Sequence, residues 1–272
     1  MLAGPDVPPY ERLGSDEAAV EVGTVEEEDD GLLHGGDSTT GRRRRKVPCK
    51  RAGVSVYSPS VDDKEIIDPV FCLRGLQEAG TLACATRAAD GSPRVRFVAG
   101  LHFELDAVYL LASRGMPFAR QLLADPRLQL LGTVRKGVYV RLTGEAHPVP
   151  EEEQVRWRLR IFQERPYYRE LYPPYKHDDS LVFAVRDGYF QYLDLVSMPI
   201  QRVYVPFGDG AVPFSGFRIT GKCARCGSCR PACPENCIET GDPVFRIRQE
   251  NCLQCGACAE ACPRGAIERV GD

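Results

Sequence analysis

The stretch "CARCGSCRPACPENC" at residues 223–237 returns in altered form as "CLQCGACAEACPRGA" at residues 252–266. Four cysteines recur exactly 29 residues later, so the two stretches are copies of one internal repeat. Nine of the twelve cysteines of this 272-residue chain lie in the two copies. Each copy reads C-x2-C-x2-C-x3-C-P, in which three closely spaced thiolates bind one iron-sulfur cubane and the fourth points elsewhere. Two copies predict two clusters.

Two other uses of cysteine fit this pattern less well. Disulfide frameworks belong to small secreted domains, and the first residues, "MLAGPDVPPYERLGSDEAAVEVG", lack the basic start and apolar core of a signal peptide. Structural zinc usually uses two well-separated cysteine pairs, which the tight three-cysteine run does not provide. Unpaired thiols and clusters therefore predict a reducing, cytoplasmic location.

The C-terminal part of the chain resembles a bacterial two-cluster ferredoxin domain. The resemblance covers residues 217–272, with "FRITGKC" and "VFRIRQENC" as short strands leading into the two loops. In that family the fourth cysteine of each run ligates the cluster of the other copy. The resemblance assigns Cys223, Cys226, Cys229 and Cys262 to cluster one, and Cys252, Cys255, Cys258 and Cys233 to cluster two.

Cys237 breaks the symmetry of the repeat, because its counterpart is Ala266. It can be interpreted as a ninth ligand or redox-active thiol, or as a small buried residue. Eight ligands already satisfy two cubanes, so we favour the buried residue.

The first 61 residues differ in composition from the rest of the chain. They hold an acidic run at 26–30 and a basic run, "RRRRK", at 42–46, without helical or strand periodicity. This pattern predicts a disordered arm over residues 1–61 with solvated charge runs. The net charge of −3 gives the chain no overall attraction to nucleic acid, and no apolar run is long enough to cross a bilayer. We therefore expect neither a nucleic-acid partner nor a membrane partner.

Between the arm and the repeat, strands predominate. Asp68 and Pro69 predict a helix start, and Gly80 its end. "TLACATRA", "RVRFVAGLHFEL", "DAVYLLAS", "LQLLGTV" and "VYVRLTGEAHPV" then read as strands, with "PFARQLLADP" as a short helix. A later helix, "EEEQVRWRLRIFQE", is expected to place Val155, Leu159 and Phe162 on one face. "SLVFAVRDGYFQYLDL" predicts a hairpin that turns at Asp187-Gly188. These elements predict a β-barrel of α+β class.

The order of these elements resembles the pyridoxamine 5′-phosphate oxidase-like family over about residues 66–196. The segments that carry the resemblance are "TLACATRAADGSPRVRFVAGLHFELDAVYLLASRGMPFARQLLADPRLQLLGTV", "YVRLTGEAHPV" and "LVFAVRDGYFQYLDL". The resemblance implies a split barrel that binds FMN at a homodimer interface. The expected domains are the barrel at 62–206, a linker at 207–216 and the ferredoxin domain at 217–272.

FMN needs cations or N–H groups for its phosphate and an apolar slot for its ring. Arg96 matches the phosphate-binding arginine of the family, and Arg94 shares its face of the strand. Family members commonly place a lysine before the helix, where this chain has Met116, Pro117 and Phe118, so FMN, the deazaflavin F420 and no flavin all stay open. The predicted flavin-binding residues are Arg94, Arg96, Phe97, Val98, Leu110, Leu111, Ser113, Arg114 and Arg120.

Clusters carry single electrons, whereas a flavin can hold one or two. The sequence therefore predicts an oxidoreductase, in which an external electron donor or acceptor protein exchanges electrons through both clusters with FMN and a small organic substrate. No catalytic residue is predicted. The alternative is an electron-carrier or redox-sensing ferredoxin module in which the barrel serves for docking and dimerisation.

Overall fold

The computed structural model describes residues 66–172 and 179–271 of the chain. The predicted disordered arm at residues 1–61, with the basic run at 42–46, lies outside the described residues. None of the helices in the described ranges is long and apolar enough to cross a membrane.

The first helix begins and ends where the sequence predicts. Helix α1 spans Pro69–Ala79, and the Asp68 side chain accepts a hydrogen bond of 2.7 Å from the backbone N–H of Phe71. Gly80 follows the helix with φ 69°, a left-handed conformation that glycine adopts at little cost. Cys72 is fully buried on the inner face of this helix, and burial raises the pKa of its thiol to about 12.

Eight strands form one curled antiparallel sheet: β1 (Leu82–Arg87), β2 (Pro93–Val98), β3 (Leu101–Phe103), β4 (Val108–Ser113), β5 (Arg127–Arg135), β6 (Val138–Pro148), β7 (Ser180–Asp194) and β8 (Gln201–Phe207). Seven of them lie in the order β2-β1-β5-β6-β7-β4-β3, and β8 also pairs with β7. The accompanying helices are α2 (Pro117–Ala124), α3 (Glu151–Glu164) and α4 (Pro166–Leu171). The predicted α+β split barrel is confirmed.

Strand β4 is buried on both of its faces. Leu110 joins the main core inside the curled sheet, where α1 and α2 pack. Tyr109 and Leu111 point the other way and pack under α3 with Trp157 and Ile161. Because side chains alternate along a strand, this nearly continuous apolar sequence serves two cores.

The predicted hairpin at Asp187-Gly188 is wrong, because β7 runs unbroken through both residues. Its first half pairs with β4 and its second half with β8, while β6 pairs along its whole length. A side chain at Gly188 would place its Cβ 2.0 Å from the carbonyl oxygen of Thr143. Glycine is therefore needed here for close strand approach rather than for a turn.

Two further expectations are corrected. The predicted strand "RVRFVAGLHFEL" is divided into β2 and β3 at Gly100, which the ring of Tyr168 approaches closely. The predicted apolar face of α3 is rotated, because Val155 and Leu159 are exposed while Gln154 is buried. Gln154 can be buried because its amide bonds the backbone of Val182 in both directions.

The C-terminal part consists of short elements, and its first strand pairs with its last. These elements are β9 (Gly216–Ile219), α5 (Cys229–Ala232), β10 (Ile238–Glu239), β11 (Arg246–Ile247), a 3-10 turn (Gln249–Asn251), α6 (Ala257–Glu260) and β12 (Ile267–Val270). Strand β9 pairs with β12, and β10 pairs with β11. Each pair thus joins a strand that flanks the first copy of the repeat to a strand that flanks the second, so the two copies interlock.

Candidate functional site

Two small cavities in the C-terminal part are each lined by four of the predicted cysteines. The interlocked strands bring the fourth cysteine of one copy beside the first three of the other. Within the described residues, no three His, Cys, Asp or Glu side chains converge on one point that could hold a single metal ion. The thiols instead line the cavity walls: Cys223, Cys226, Cys229 and Cys262 around the first, and Cys252, Cys255, Cys258 and Cys233 around the second.

The backbone of both loops points N–H groups at the thiols. The second residue after the first cysteine has a left-handed conformation in each copy, Arg225 with φ 54° and Gln254 with φ 58°. The backbone N–H of each then donates to the sulfur of that cysteine, at 3.4 Å in both copies. Such N–H···S bonds stabilise thiolate charge and tune the potential of a bound cluster. The two copies therefore repeat the backbone conformation and the N–H···S hydrogen bonds as well as the cysteine spacing.

Cys237 lies against the second cavity and is 1% exposed, as its counterpart Ala266 is 0% exposed. The backbone N–H of each donates to the sulfur of the fourth cysteine of its own copy, at 3.4 Å to Cys233 and 3.3 Å to Cys262. The two positions thus share one backbone role, which a small side chain permits. The Cys237 thiol is also a hydrogen-bond partner of Cys252, and this bond, the backbone N–H of Gln254 and the charge of Arg202 together lower the pKa of Cys252 below its usual value.

Apart from Glu235 in the second cavity and Arg264 in the first, the walls of both cavities are otherwise largely apolar. Phe217, Ile238 and Ile247 border the second cavity, and Ile219 and Phe245 border the first. Backbone donors, four thiols and an apolar wall suit a cubane, whose sulfurs accept hydrogen bonds and whose potential depends on exposure to water. The residues present therefore fit an iron-sulfur cluster in each cavity.

Arg96 on β2 points to the inner side of the sheet, toward α2. Its guanidinium donates to the Thr86 hydroxyl at 2.7 Å and to the Gln121 side-chain oxygen at 2.6 Å. It also stacks over the Phe118 ring, 4.6 Å from its centroid. Both acceptors are neutral, so the positive charge of Arg96 is held in place without being neutralised. That is the state in which an arginine can bind an anion.

The other predicted cations lie at the surface. Arg94 pairs with Asp90 at 3.8 Å, and Arg120 donates to the carbonyl oxygen of Gly115 at 2.8 Å. Arg114 is exposed in the turn before α2. Ser113 precedes it and shares a short hydrogen bond with the Tyr172 hydroxyl. Arg94 lies on β2 with Arg96, Arg114 in the β4–α2 turn, and Arg120 on α2 next to Gln121, which Arg96 contacts. No lysine occurs among Met116, Pro117 and Phe118.

The predicted ring-binding residues divide between the two faces of the sheet. Phe97 is 80% exposed on the outer face, whereas the side chains of Val98, Leu110 and Leu111 are buried in the cores. The side chain of Phe97 is available to a ligand, while Val98 can contribute backbone groups only. The structure does not bring the side chains of Leu110 and Leu111 to a surface.

A cavity of about 950 Å³ at one end of the barrel was not predicted from the sequence. Residues from β1, β5, β6 and β7 line it, and its volume is in the range of small-molecule sites. The arginines at its rim are paired: Arg127 lies 2.6 Å from Asp125, and Arg186 lies 3.3 Å from Asp106. This cavity therefore offers a mixed polar rim rather than an excess of positive charge. Thr86, which lines it, also bonds Arg96.

Family comparison identifies both parts of the chain. Residues 72–192 match the family model described as pyridoxamine 5′-phosphate oxidase, and residues 222–266 match the one described as 4Fe-4S dicluster domain. The chain thus joins a barrel that matches the oxidase family model to a domain that matches the dicluster model. Both predicted resemblances are confirmed at the level of the domains. Among curated proteins, no sequence matches this chain.

Solved structures similar to the barrel domain are distant in sequence. A NimC/NimA family protein of Clostridium acetobutylicum is 20% identical, with a TM-score of 0.42 over 50% of this chain and 91% of that chain. A heme binding protein of Mycobacterium smegmatis is 18% identical, with a TM-score of 0.42 over 51% of this chain and 59% of that one. An FMN binding protein of Nostoc punctiforme related to pyridoxamine 5′-phosphate oxidase is 15% identical, with a TM-score of 0.39 over 50% and 86%.

The barrel domain also contains a buried polar group that the sequence did not single out. His102 is 2% exposed, and its two ring nitrogens lie 2.9 Å from Glu164 and 2.8 Å from Glu104. Its ring is stacked beside Tyr109 and Trp157. In sequence His102 stands alone, since Glu164 is 62 residues away. This cluster ties β3 to α3 and lies apart from the cysteine-lined cavities.

Proposed function

We propose that the chain is a flavo-iron-sulfur oxidoreductase, in which electrons from an external donor protein pass through two clusters in the dicluster domain to a flavin in the barrel. The observation that carries this proposal is the pair of cavities, each lined by four cysteines, in a chain whose other domain matches an oxidase family. A redox role follows from the two domain types. The flow of electrons toward an organic substrate is our proposal.

The dicluster residues would hold the clusters as the sequence predicts, with the fourth thiolate of each supplied by the other copy. Arg225 and Gln254 would stabilise the thiolate charge through their backbone N–H groups. Clusters supply single electrons, and a flavin can collect two of them for an organic substrate. Free thiols and clusters of this kind favour a reducing compartment, and we place the protein in the cytoplasm.

The barrel would hold FMN through Arg96, whose charge no carboxylate of the described residues neutralises by a direct ion pair. Its two hydrogen bonds to Thr86 and Gln121 fix the guanidinium in position. Arg94, Arg114 and Arg120 would add positive charge around the phosphate. We assign the cavity of about 950 Å³ to the organic substrate, because its rim is polar but its arginines are paired.

One observation favours the second candidate, a carrier or redox-sensing module without flavin. Phe118, in the first turn of α2, belongs to the segment 116–118 where the family resemblance implies a lysine, and its ring lies against Arg96. Loss of one cation weakens phosphate binding, so a barrel with a different cofactor such as F420, or with none, is the alternative.

Cofactor analysis of the purified protein separates these functions. Purified without oxygen and then denatured with acid, the protein is expected to yield about eight irons and eight sulfides per chain, as two cubanes require, together with FMN identified by mass. A control chain that ends before the dicluster domain should release flavin but no iron. Iron and sulfide without any flavin would remove the enzyme proposal and leave the carrier function.

We also propose that the barrel forms a homodimer through its outer sheet face. Val95 and Phe97 on β2 are 71% and 80% exposed, and Leu131 on β5 joins them through the register Phe97–Ala83–Leu131. A contiguous apolar face of this kind is typical of a protein–protein contact.

Phe97→Glu is expected to shift the protein from dimer to monomer, since the substitution buries a charge in the apolar contact at a cost of several kcal/mol. Light scattering across a concentration series measures the shift. Leu105→Glu is the matched control, because Leu105 is 73% exposed in the turn between β3 and β4, away from this face. A parent protein that is monomeric with flavin bound would contradict the proposal.

A further inference from the structure

The dicluster domain contacts the barrel through the loop that borders its second cavity. Glu235 accepts a hydrogen bond of 3.2 Å from the backbone N–H of Ile200, which directly precedes β8. Asn251 donates to the carbonyl oxygen of Ile200 at 2.8 Å, and Arg202 on β8 donates to the side-chain oxygen of Gln254 at 3.3 Å. Glu235 lines the second cavity, and Asn251 directly precedes Cys252. The contact between the dicluster domain and the barrel therefore lies beside the second cavity.

Arg202 reaches a cysteine of this cavity through one residue. The Gln254 side chain is fixed at both ends, since its oxygen accepts from Arg202 and its nitrogen donates to the carbonyl oxygen of Ser215 at 2.8 Å. The backbone N–H of the same Gln254 donates to the sulfur of Cys252 at 3.4 Å. Gln254 alone thus links the Arg202 guanidinium to the Cys252 thiol, which would ligate the second cluster.

No carboxylate of the described residues forms an ion pair with Arg202. Its guanidinium donates to the neutral side-chain amide of Gln254, and its Nε atom is buried without a hydrogen-bond partner in that part of the chain. A partly buried charge of this kind is screened less by water and salt than an exposed one. Its field therefore acts on its surroundings more strongly than that of an exposed arginine.

In the first copy of the repeat, an arginine stands at the position that Gln254 has in the second. Arg225 is the counterpart of Gln254 in the repeat, and its side chain is 52% exposed and pairs with Asp242 at 3.6 Å. Solvent and this carboxylate both weaken its field. Arg264 also lines the first cavity, but it is exposed. Of these three arginines, only Arg202 is partly buried and forms no ion pair with a described residue.

We propose that Arg202 raises the reduction potential of the cluster held at Cys252, Cys255, Cys258 and Cys233, which makes this cluster the electron acceptor of the pair and the one that exchanges electrons with the barrel. The inference rests on the proposed function, since it requires both clusters. Adding an electron makes a cluster more negative, so a nearby cation stabilises the reduced state more than the oxidised state. Burial of Cys252 and Cys258 opposes reduction, and a barrel cation can offset that effect.

The electron balance of the step is simple. A cluster held by Cys223, Cys226, Cys229 and Cys262 would give up one electron and be oxidised, and the cluster held beside Arg202 would accept that electron and be reduced. An external one-electron donor protein would then replace the electron lost from the first cluster. No bond is formed or broken, and no proton is required.

The test is a redox titration of the full chain, followed by electron paramagnetic resonance, for the parent and for Arg202→Met and Arg202→Gln. Both variants remove the charge, and Gln retains a hydrogen-bonding side chain. At a fixed poise we expect the reduced-to-oxidised ratio of one cluster to fall about tenfold, which corresponds to about 59 mV for a one-electron couple. The other cluster should keep its potential. Cys255→Ser alters a proposed ligand of the second cluster and so shows which redox couple belongs to that cluster. The same couple must be the one that the Arg202 substitutions shift.

Two controls separate charge from packing. Arg202→Lys is expected to restore most of the shift, and Arg225→Met should leave the potential of the second cluster unchanged. Iron and sulfide contents must match the parent in every variant. A parent without clusters overturns the proposed function itself. Full clusters with unchanged potentials in Arg202→Met or Arg202→Gln, equal shifts of both couples, or a lysine variant that behaves like methionine would overturn the role of Arg202 alone.

Discussion

Cys233→Ser is expected to destroy the cluster of the loop that begins at Cys252, although Cys233 belongs to the other copy of the repeat. Cys233 lines the second cavity together with Cys252, Cys255 and Cys258. A serine hydroxyl is a harder and far less acidic ligand than a thiol, so it holds iron poorly. Iron should fall by about half, from two cubanes toward one. Iron analysis and cluster spectra of protein purified without oxygen measure the loss.

Cys237→Ser is the matched control, because Cys237 lines the same cavity and its sulfur lies 3.4 Å from that of Cys233. The backbone N–H of residue 237 supplies the bond to Cys233, and serine retains it. Both clusters should therefore remain. A loss of half the iron in Cys237→Ser, or the loss of the first cluster in Cys233→Ser, would show that the ligands are assigned wrongly.

Arg96→Ala is expected to weaken FMN binding about a hundredfold. A charged hydrogen-bond donor contributes about 1.5–3 kcal/mol, and each 1.4 kcal/mol is a factor of ten. Arg94→Ala should change the affinity far less, because Arg94 is half exposed and pairs with Asp90. Equilibrium titration of flavin-free protein with FMN gives the dissociation constants.

Riboflavin distinguishes phosphate binding from a structural effect. It lacks the phosphate, so its affinity should be nearly equal in the parent and in Arg96→Ala. Arg96 also bonds Thr86 and Gln121, and thermal unfolding of the variant measures what those bonds contribute to stability. An equal loss of riboflavin and FMN affinity would assign Arg96 to the fold rather than to the phosphate.

The sequence predicts the dicluster domain in more detail than the barrel. Ligand spacing in a cysteine repeat is local, and the rigid loops reproduce it as two cavities. Arg96 could be selected by resemblance, but its surroundings could not, because Thr86, Phe118 and Gln121 come from two other elements. The barrel-end cavity combines four strands, and no local pattern marks it.

The wrong predictions have local causes. Asp187-Gly188 has the composition of a tight turn, yet Gly188 serves the approach of β6 to β7 within a long strand. The sequence predicts Val155 and Leu159 on the apolar face of α3 with Phe162, but only Phe162 is buried, while Gln154 and Arg158 are buried and donate to backbone carbonyl groups inside the fold. In both cases tertiary hydrogen bonding and packing override a preference that a short window of sequence expresses.

The pairing of β9 with β12 has a consequence for how the protein is made. Strand β9 is synthesised early in this domain, but its partner Ile267–Val270 follows only after both cysteine loops. Such distant pairing closes late, because loop closure must precede the contact. While the ribosome is still translating the second copy, the thiols of the first stay open to oxidants and to stray metals. The proposed first cluster could not be completed before Cys262 of the second copy had been translated, so its insertion would come late in synthesis of the chain.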